Sequence, residues 1–216
     1  MITIKTGDFR VLSKSIPDDS VDLILADPVY DRLDDYRDLS MLASRILKPG
    51  GNCIAQSGSY YIALNLMAMS EHLDYVWTLA EVYPFATSRQ FDRRVVQGWK
   101  AHLWFSKGKR IGEWIIDRYR GGGRDKRNHK WGDSVAFYQI LIAKLTEPDA
   151  MIYDPFVGGG TVPAASYRLG RNCIGHEIDP EAADIARKRL AETQPPLFVL
   201  PPAQQLELPV PNLEAT

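Results

Sequence analysis

The chain has 216 residues, of which 45% are hydrophobic and 25% are charged, and its formal net charge is −1. This length gives one domain with a proper core, or at most two very small domains. The small net charge argues against a globally basic coat for nucleic acid, and no apolar stretch reaches the roughly 18 residues of a membrane helix. The N-terminus lacks the build of a signal peptide, so we expect a cytoplasmic protein that makes no membrane contact, with Cys53 and Cys173 reduced in the core.

Short apolar runs alternate with amphipathic runs along the chain, which predicts an α/β fold with a parallel sheet and crossover helices. The predicted strands are 2–5, 21–26, 52–56, 76–83, 102–106, 150–154 and 172–177. The predicted helices are 36–47, 59–72, 134–146, 161–169 and 180–192, and LKPGG at 47–51 is interpreted as the glycine-rich end of the first. We expect a single domain over 1–194 and an extended proline-rich tail over 195–216.

Two long segments, 84–100 and 107–133, are expected to be irregular because they are rich in arginine, glycine and aromatic residues. From Lys107 to Lys130 there are nine lysines or arginines against three acids. A one-sided basic patch of this kind is typical of contact with a phosphate backbone, although a solvated loop has the same composition.

The first notable motif is ADPVY at 26–30, which ends the apolar run VDLILA. Proline and aspartate commonly mark a turn after a strand. The alternative is a site at which the acid, the proline and the tyrosine hold a flat, polar ligand.

The second motif is DPFVGGGT at 154–161, a strand end followed by glycines and then a helix. Gly158, Gly159 and Gly160 permit positive φ and close approach of a ligand, and Thr161 is predicted to cap the helix. Glu177 ends the next strand, at the spacing with which Rossmann-type βαβ units place a carboxylate on ribose hydroxyls. The G-x-G-x-x-G fingerprint and a Walker lysine are both absent, which favours a nucleoside cofactor without a pyrophosphate.

Together the two motifs resemble those of the amino-group DNA methyltransferases that use S-adenosylmethionine, in the circularly permuted β group. DPFVGGGT resembles the cofactor motif of that family, and DPVY, which precedes it, resembles the catalytic D-P-P-Y. The resemblance extends over about residues 2–192. It implies a Rossmann-like methyltransferase fold with a seven-stranded, mostly parallel sheet that has one antiparallel strand, and in which strand 2–5 lies beside strand 172–177.

The resemblance also implies which residues form the site. The catalytic residues would be Asp27, Pro28 and Tyr30: the Asp27 carboxylate and the Pro28 carbonyl accept hydrogen bonds from an exocyclic amine, and a flipped base stacks on Tyr30. Val29 replaces the second proline of the family motif. The residues that would bind S-adenosylmethionine are Asp8, Asp154, Phe156, Gly158, Gly160, Thr161 and Glu177. No metal is expected.

DNA is the expected partner, with RNA as a second candidate, and target recognition is expected at about 107–133 and in the loop 86–98. The candidate nucleic-acid contacts are Arg89, Arg93, Arg94, Arg118, Arg120, Arg124, Lys126, Arg127, His129 and Lys130. Because this region is short, we expect a short or relaxed target sequence or reliance on a homodimer partner.

Three functions remain open from the sequence. The first is an N6-adenine DNA methyltransferase, favoured over the cytosine-N4 type because an aspartate begins the catalytic motif. The second is a catalytically silent nucleic-acid-binding module that kept the methyltransferase fold, and Val29 is its support. The third is a nicotinamide-dependent oxidoreductase.

Overall fold

The computed structural model describes residues 1–83, 88–110, 114–121 and 135–194. Within these residues the strands are β1 (Ile2–Thr6), β2 (Val21–Ala26), β3 (Leu47–Ser57), β4 (Asp74–Val82), β5 (Ser88–Gln90), β6 (Val95–Gln97), β7 (Trp99–Ser106), β8 (Arg118–Arg120), β9 (Met151–Asp154) and β10 (Asn172–Glu177). The helices are α1 (Phe9–Leu12), α2 (Leu33–Ile46), α3 (Ile62–Met69), α4 (Val135–Leu145), α5 (Thr161–Arg168) and α6 (Pro180–Glu192), and a 3₁₀ turn follows α1 at Ser13–Ser15.

The main sheet is mostly parallel and has the order β1-β10-β9-β2-β3-β7-β4-β8. Strand β7 runs antiparallel to both of its neighbours, β3 and β4, while the other described pairs in this sheet are parallel. The predicted α/β fold with one reversed strand is therefore confirmed. The described sheet has eight strands where seven were expected, because the short β8 joins its edge beside β4.

The first and last strands of the described chain are neighbours in the sheet. Strand β1 pairs in parallel with β10, with Ile2 opposite Cys173 and Thr6 opposite Glu177. The expectation that the first strand lies beside strand 172–177 is confirmed.

Helices cover both faces of the sheet, as parallel strands require. One face buries Tyr36 and Leu39 of α2 together with Met69 of α3, and the opposite face buries Phe137 of α4 and Val162 of α5. The strands are correspondingly apolar on both faces, and both cysteines are free and buried. The residues after the strand ends are therefore the part of the sheet that is open to a ligand.

Strand β8 lies within the segment 107–133, which was expected to be irregular, and two further predicted segments also differ in the structure. Helix α2 ends at Ile46, and residues 47–51 are the first residues of β3 instead of a glycine-rich helix terminus. Residues 88–97, expected to be irregular, form a hairpin of β5 and β6. These strands are three residues long, too short for apolar periodicity to mark them. No helix within the described ranges is long and apolar enough to cross a membrane.

Candidate active site

The site lies along the edge of the sheet at which the parallel strands end. Strands β1, β10, β9, β2 and β3 are adjacent and run in one direction, so their carboxyl ends form a continuous edge, where open α/β sheets bind ligands. In this order, the residues at or just after the strand ends are Asp8, Glu177, Asp154, Asp27 and Ser57. The fold thus brings together acids that are far apart in the sequence.

Glu177 ties three segments of the backbone to the end of β10. Its Oε2 accepts a hydrogen bond from the Gly158 amide at 2.7 Å, and its Oε1 accepts one from the Asp179 amide at 2.9 Å. The Glu177 carbonyl accepts a further bond from the Gly7 amide at 2.7 Å. Each carboxylate oxygen keeps a second lone pair for a ligand hydroxyl.

The glycines between β9 and α5 have two different environments. Gly160 has φ +78°, and a methyl group added there would lie 2.9 Å from Cα of Ala186 in α6. Gly158 has φ +50°, but the nearest atom to such a methyl group is the Phe156 oxygen at 4.0 Å. Gly160 is therefore required for packing, whereas Gly158 leaves space beside its backbone.

Thr161 does not have its predicted local role. The N-cap of α5 is Gly160 in the left-handed conformation, with no side-chain hydrogen bond. The Thr161 hydroxyl instead accepts a bond from Nη1 of the buried Arg189 at 3.1 Å, and the Gly159 carbonyl accepts from the same nitrogen at 3.1 Å. The prediction of a threonine cap is wrong, because the glycine turn ends the loop and the hydroxyl links α5 to α6.

Asp154 is 2% exposed, and its Oδ1 accepts a bond from the Phe156 amide at 3.0 Å. Burial raises the pKa of Asp154 well above its usual range; the Phe156 amide opposes this shift, and the charges of Glu177 and Asp27 add to it. The Phe156 ring packs against Phe9 of α1, with the ring centroids 5.0 Å apart. A cationic ligand at this edge would stabilise the crowded carboxylates.

Asp8 is the N-cap of α1, and its carboxylate accepts a bond from the Arg10 amide at 2.8 Å. The Arg10 guanidinium forms ion pairs with Asp8, Asp35 and Asp38, and the latter two belong to α2. Arg10 therefore connects the segment after β1 to the helix that follows Asp27. The sequence analysis did not identify Arg10, because two of its three partners, Asp35 and Asp38, are near it only in the fold.

The turn after β2 contains the predicted catalytic residues. Asp27 is exposed, Pro28 is buried and Tyr30 is half-buried. Val29, which replaces the second proline of the family motif, is 49% exposed. About half of the valine is therefore open to solvent, and it does not belong to either core cluster of the described residues.

Three residues hold Tyr30: one on β3, one directly after β3 and one on α3. Its hydroxyl accepts a short hydrogen bond from Nε2 of Gln56, and its carbonyl accepts one from Nδ2 of Asn65 at 3.2 Å. A methyl group added at Gly58 would lie 2.8 Å from Cδ2 of Tyr30, so the ring lies directly against this glycine. Sequence reasoning missed all three, and the glycine directly after strand β3 was the one available signal. Gln56 is 1% exposed, and its Oε1 has no hydrogen-bond partner among the residues that the structure describes.

The described candidate arginines are exposed and lie on short strands or in a hairpin turn at the same edge. Arg89, Arg93 and Arg94 belong to the β5–β6 hairpin, and Arg118 and Arg120 flank the buried Tyr119 on β8. The other predicted contacts lie outside the described residues: Arg124, Lys126, Arg127, His129 and Lys130. Within the described ranges, no group of three or more His, Cys, Asp or Glu side chains could hold a metal ion.

Two curated relatives align with most of the chain. The type II methyltransferase M.HinfI of Haemophilus influenzae is 26% identical over 89% of this chain and 69% of its own length. The type II methyltransferase M2.DpnII of Streptococcus pneumoniae is 26% identical over 88% of this chain and 89% of its own length.

Solved structures have the same fold. The crystal structure of the M1.HpyAVI–SAM complex matches with a TM-score of 0.74 and 25% identity, over 88% of this chain and 99% of that one. The cytosine-N4-specific PvuII DNA methyltransferase matches with a TM-score of 0.77 over 87% of this chain and 86% of that one; at 18% identity it shows the shared fold alone.

A family model also matches the sequence itself. The N6_N4_Mtase model, described as DNA methylase, matches residues 21–188, a range that contains both the turn after β2 and the glycine loop. With most of the sequence matched, the chain belongs to this family of DNA methylases that modify N6 or N4 amino groups.

Proposed function

We propose that the protein transfers a methyl group from S-adenosylmethionine to the exocyclic amine of a base in DNA, with adenine N6 as the favoured target. The observation that carries this proposal is the parallel pairing of β2 with β9, which places Ile24 opposite Tyr153. Asp27 and Asp154, which follow these two residues, therefore stand on adjacent strand ends. The cofactor site and the amine site share a boundary.

The residues at this edge fit S-adenosylmethionine. Gly158 leaves open space beside its backbone, Glu177 keeps lone pairs for ribose hydroxyls, and the buried Asp154 carboxylate favours a cationic neighbour. Asp8 and Phe156 lie at the same strand ends, and the other two expected residues, Gly160 and Thr161, contact α6 through packing and a hydrogen bond. When bound, S-adenosylmethionine supplies the methyl group on its positively charged sulfur.

The turn after β2 would hold the target amine. The exposed Asp27 carboxylate and the Pro28 carbonyl accept hydrogen bonds from the two N–H groups of the amine. These bonds pull the nitrogen toward a tetrahedral, nucleophilic geometry. Proline suits this turn because its φ is fixed and it offers no competing donor. Orientation of the amine toward the methyl group supplies the remainder of the rate enhancement.

A base inside a duplex cannot reach this turn, so the target must leave the stack, at a cost of a few kcal/mol. The Tyr30 ring, fixed by Gln56 and Gly58, offers a stacking surface that returns roughly 1–3 kcal/mol of that cost. The aspartate at the start of the catalytic motif favours adenine over cytosine, by resemblance to the family.

The decisive experiment is incubation of plasmid DNA with the protein and isotopically labelled S-adenosylmethionine, followed by mass spectrometry of the nucleosides. We expect N6-methyladenine; N4-methylcytosine instead would support the cytosine alternative. Label in RNA but not in DNA, or DNA binding without any transfer, would contradict the proposal.

A matched pair of variants tests the mechanism. Asp27→Ala should lower the transfer rate at least about 100-fold, in the range typical of a lost catalytic group, while cofactor binding persists. Asp31→Ala, an exposed acid in the same turn, is the control and should keep the wild-type rate. Equal rates for wild type and Asp27→Ala would exclude the proposed role of Asp27.

A further inference from the structure

The β5–β6 hairpin presents an exposed aromatic ring at its tip. The last ladder pair is Gln90 opposite Val95, and Phe91 lies just beyond it in the turn 91–94. Phe91 is 82% exposed, and the turn is closed by a hydrogen bond from the Arg94 amide to the Phe91 carbonyl at 3.4 Å. The ring therefore contributes little to the core, and its placement calls for a role outside the folded chain.

The hairpin stands at the same edge of the sheet as the active site. It connects the carboxyl end of β4 to the amino end of the reversed strand β7, and the two ends are joined by a bond from the Tyr83 amide to the Gly98 carbonyl at 2.9 Å. Because β4 runs parallel to β3, this end of β4 lies on the side of the sheet that bears Asp27.

A short series of contacts links the tip to the catalytic turn. Arg93 donates from Nη2 to the Tyr60 hydroxyl at 3.0 Å, and its guanidinium carbon lies 5.1 Å from the centre of the Tyr60 ring. Tyr60 follows Gly58 by two residues, and Gly58 packs directly against the Tyr30 ring. The position of Phe91 is thus tied to the surface on which a flipped base would stack.

The charges around Phe91 suit a nucleic acid. Arg89, Arg93 and Arg94 are exposed on the hairpin, and Asp92, which lies 3.6 Å from Arg93 Nε, is the acid among the tip residues 91–94. The surplus is positive, as expected for a contact with the phosphate backbone.

We propose that Phe91 is a wedge that enters the base stack of duplex DNA at the position vacated by the target base, while the hairpin arginines contact the adjacent phosphates. Apolar side chains inserted between base steps are a common way in which proteins deform a duplex. This inference rests on the proposed function and adds a substrate-contacting residue outside the two motifs. The wedge lowers the cost of extrusion without touching the reacting atoms.

The test compares two substrates that differ only in that cost. The target site is first mapped by sequencing plasmid DNA that the wild-type protein has methylated. Methylation rates are then measured on a duplex oligonucleotide with this site, and on the same duplex with an abasic position opposite the target base, where extrusion is easier.

Phe91→Ala should slow methylation of the intact duplex by roughly 5- to 150-fold, the range that corresponds to one lost stacking contact. On the abasic duplex the same variant should approach the wild-type rate. Phe91→Trp should restore the rate on the intact duplex, because it retains an aromatic wedge. Met41→Ala, an exposed apolar residue of α2, should behave as wild type on both substrates.

The outcomes separate the wedge from the activity itself. Equal slowing of Phe91→Ala on both substrates, or no slowing on either, would overturn the wedge while the methyltransferase proposal stands. No methyl transfer by the wild-type protein to any DNA would overturn the proposed function and, with it, the wedge.

Discussion

Two of the three glycines in the loop between β9 and α5, Gly158 and Gly160, are predicted to respond differently to replacement by alanine. Replacement of Gly160 by alanine keeps φ at +78° only with strain, since left-handed residues other than glycine cost about 1–2 kcal/mol. The added methyl group would also lie 2.9 Å from both Cα and Cβ of Ala186 and 3.2 Å from its carbonyl oxygen. These are atoms of the α6 backbone and its short side chain, so they cannot rotate away.

The magnitudes follow from these distances. Overpacking of a close-packed interior costs typically about 1–3 kcal/mol, so Gly160→Ala should lower the free energy of unfolding by about 2–5 kcal/mol. Gly158→Ala has the same kind of backbone strain at φ +50°, but its methyl group would meet no atom closer than 4.0 Å. It should cost about 1–2 kcal/mol.

Urea unfolding of both variants, without cofactor, measures the difference through the midpoint at constant m. Calorimetric titration with S-adenosylmethionine gives the second readout. Gly158→Ala should weaken binding strongly despite its small effect on stability, because the methyl group occupies the open side of the loop. Equal destabilisation by the two substitutions would refute the packing argument, and unchanged cofactor affinity in Gly158→Ala would refute the assignment of its open side to the ligand.

Further predictions concern two buried titratable groups. Each is tested by the difference in free energy of unfolding between the parent and a variant as the pH changes. Because the pKa of Asp154 is raised in the folded protein, the native state keeps a proton that the unfolded state has lost when the pH lies between the unfolded and the folded pKa. The free energy of unfolding therefore falls as the pH rises from the unfolded pKa through the folded pKa. Asp154→Asn should therefore be more stable than the parent at pH 8, with the gain vanishing toward pH 4, in urea unfolding without cofactor; a less stable variant at every pH contradicts this. Burial, with a smaller effect from Lys5, lowers the pKa of His176 to about 4, and the Tyr153 hydroxyl bonds to its Nδ1 at 2.9 Å. The parent should lose up to about 3 kcal/mol between pH 6.5 and pH 4, and His176→Gln should lose less; parallel curves for the two proteins would exclude this origin.

Seven of the eight strands of the main sheet were predictable because their signals are local. The runs at 21–26 and 172–177 are apolar and bounded by turn residues, and the structure has β2 and β10 over the same residues. Strand β8 and helix α1, at three and four residues, are too short for a period to emerge; β8 pairs with β4, and α1 is capped by Asp8.

The candidate site divides in the same way. The positions of Asp27 and Glu177 at strand ends followed from their motifs. Gln56 and Asn65, which fix Tyr30, become its neighbours only when β3 and α3 pack beside the turn. Thr161 was wrongly predicted as a cap because the sequence does not reveal that Arg189 would donate a hydrogen bond to its hydroxyl.

The pairing of β1 with β10 has a consequence for the timing of biosynthesis. The Met1 amino group donates a hydrogen bond to the side chain of Asn172, which lies 171 positions later in the sequence. During translation, β1 cannot pair with β10 until β10 has left the ribosome, so Asp8 reaches its final position at the edge of the sheet only then. The Gly158 loop waits for the same strand, because its anchor is Glu177. We therefore expect the proposed cofactor-binding edge to be assembled late, so that a nascent chain halted before β10 would carry the proposed catalytic turn without a complete cofactor site.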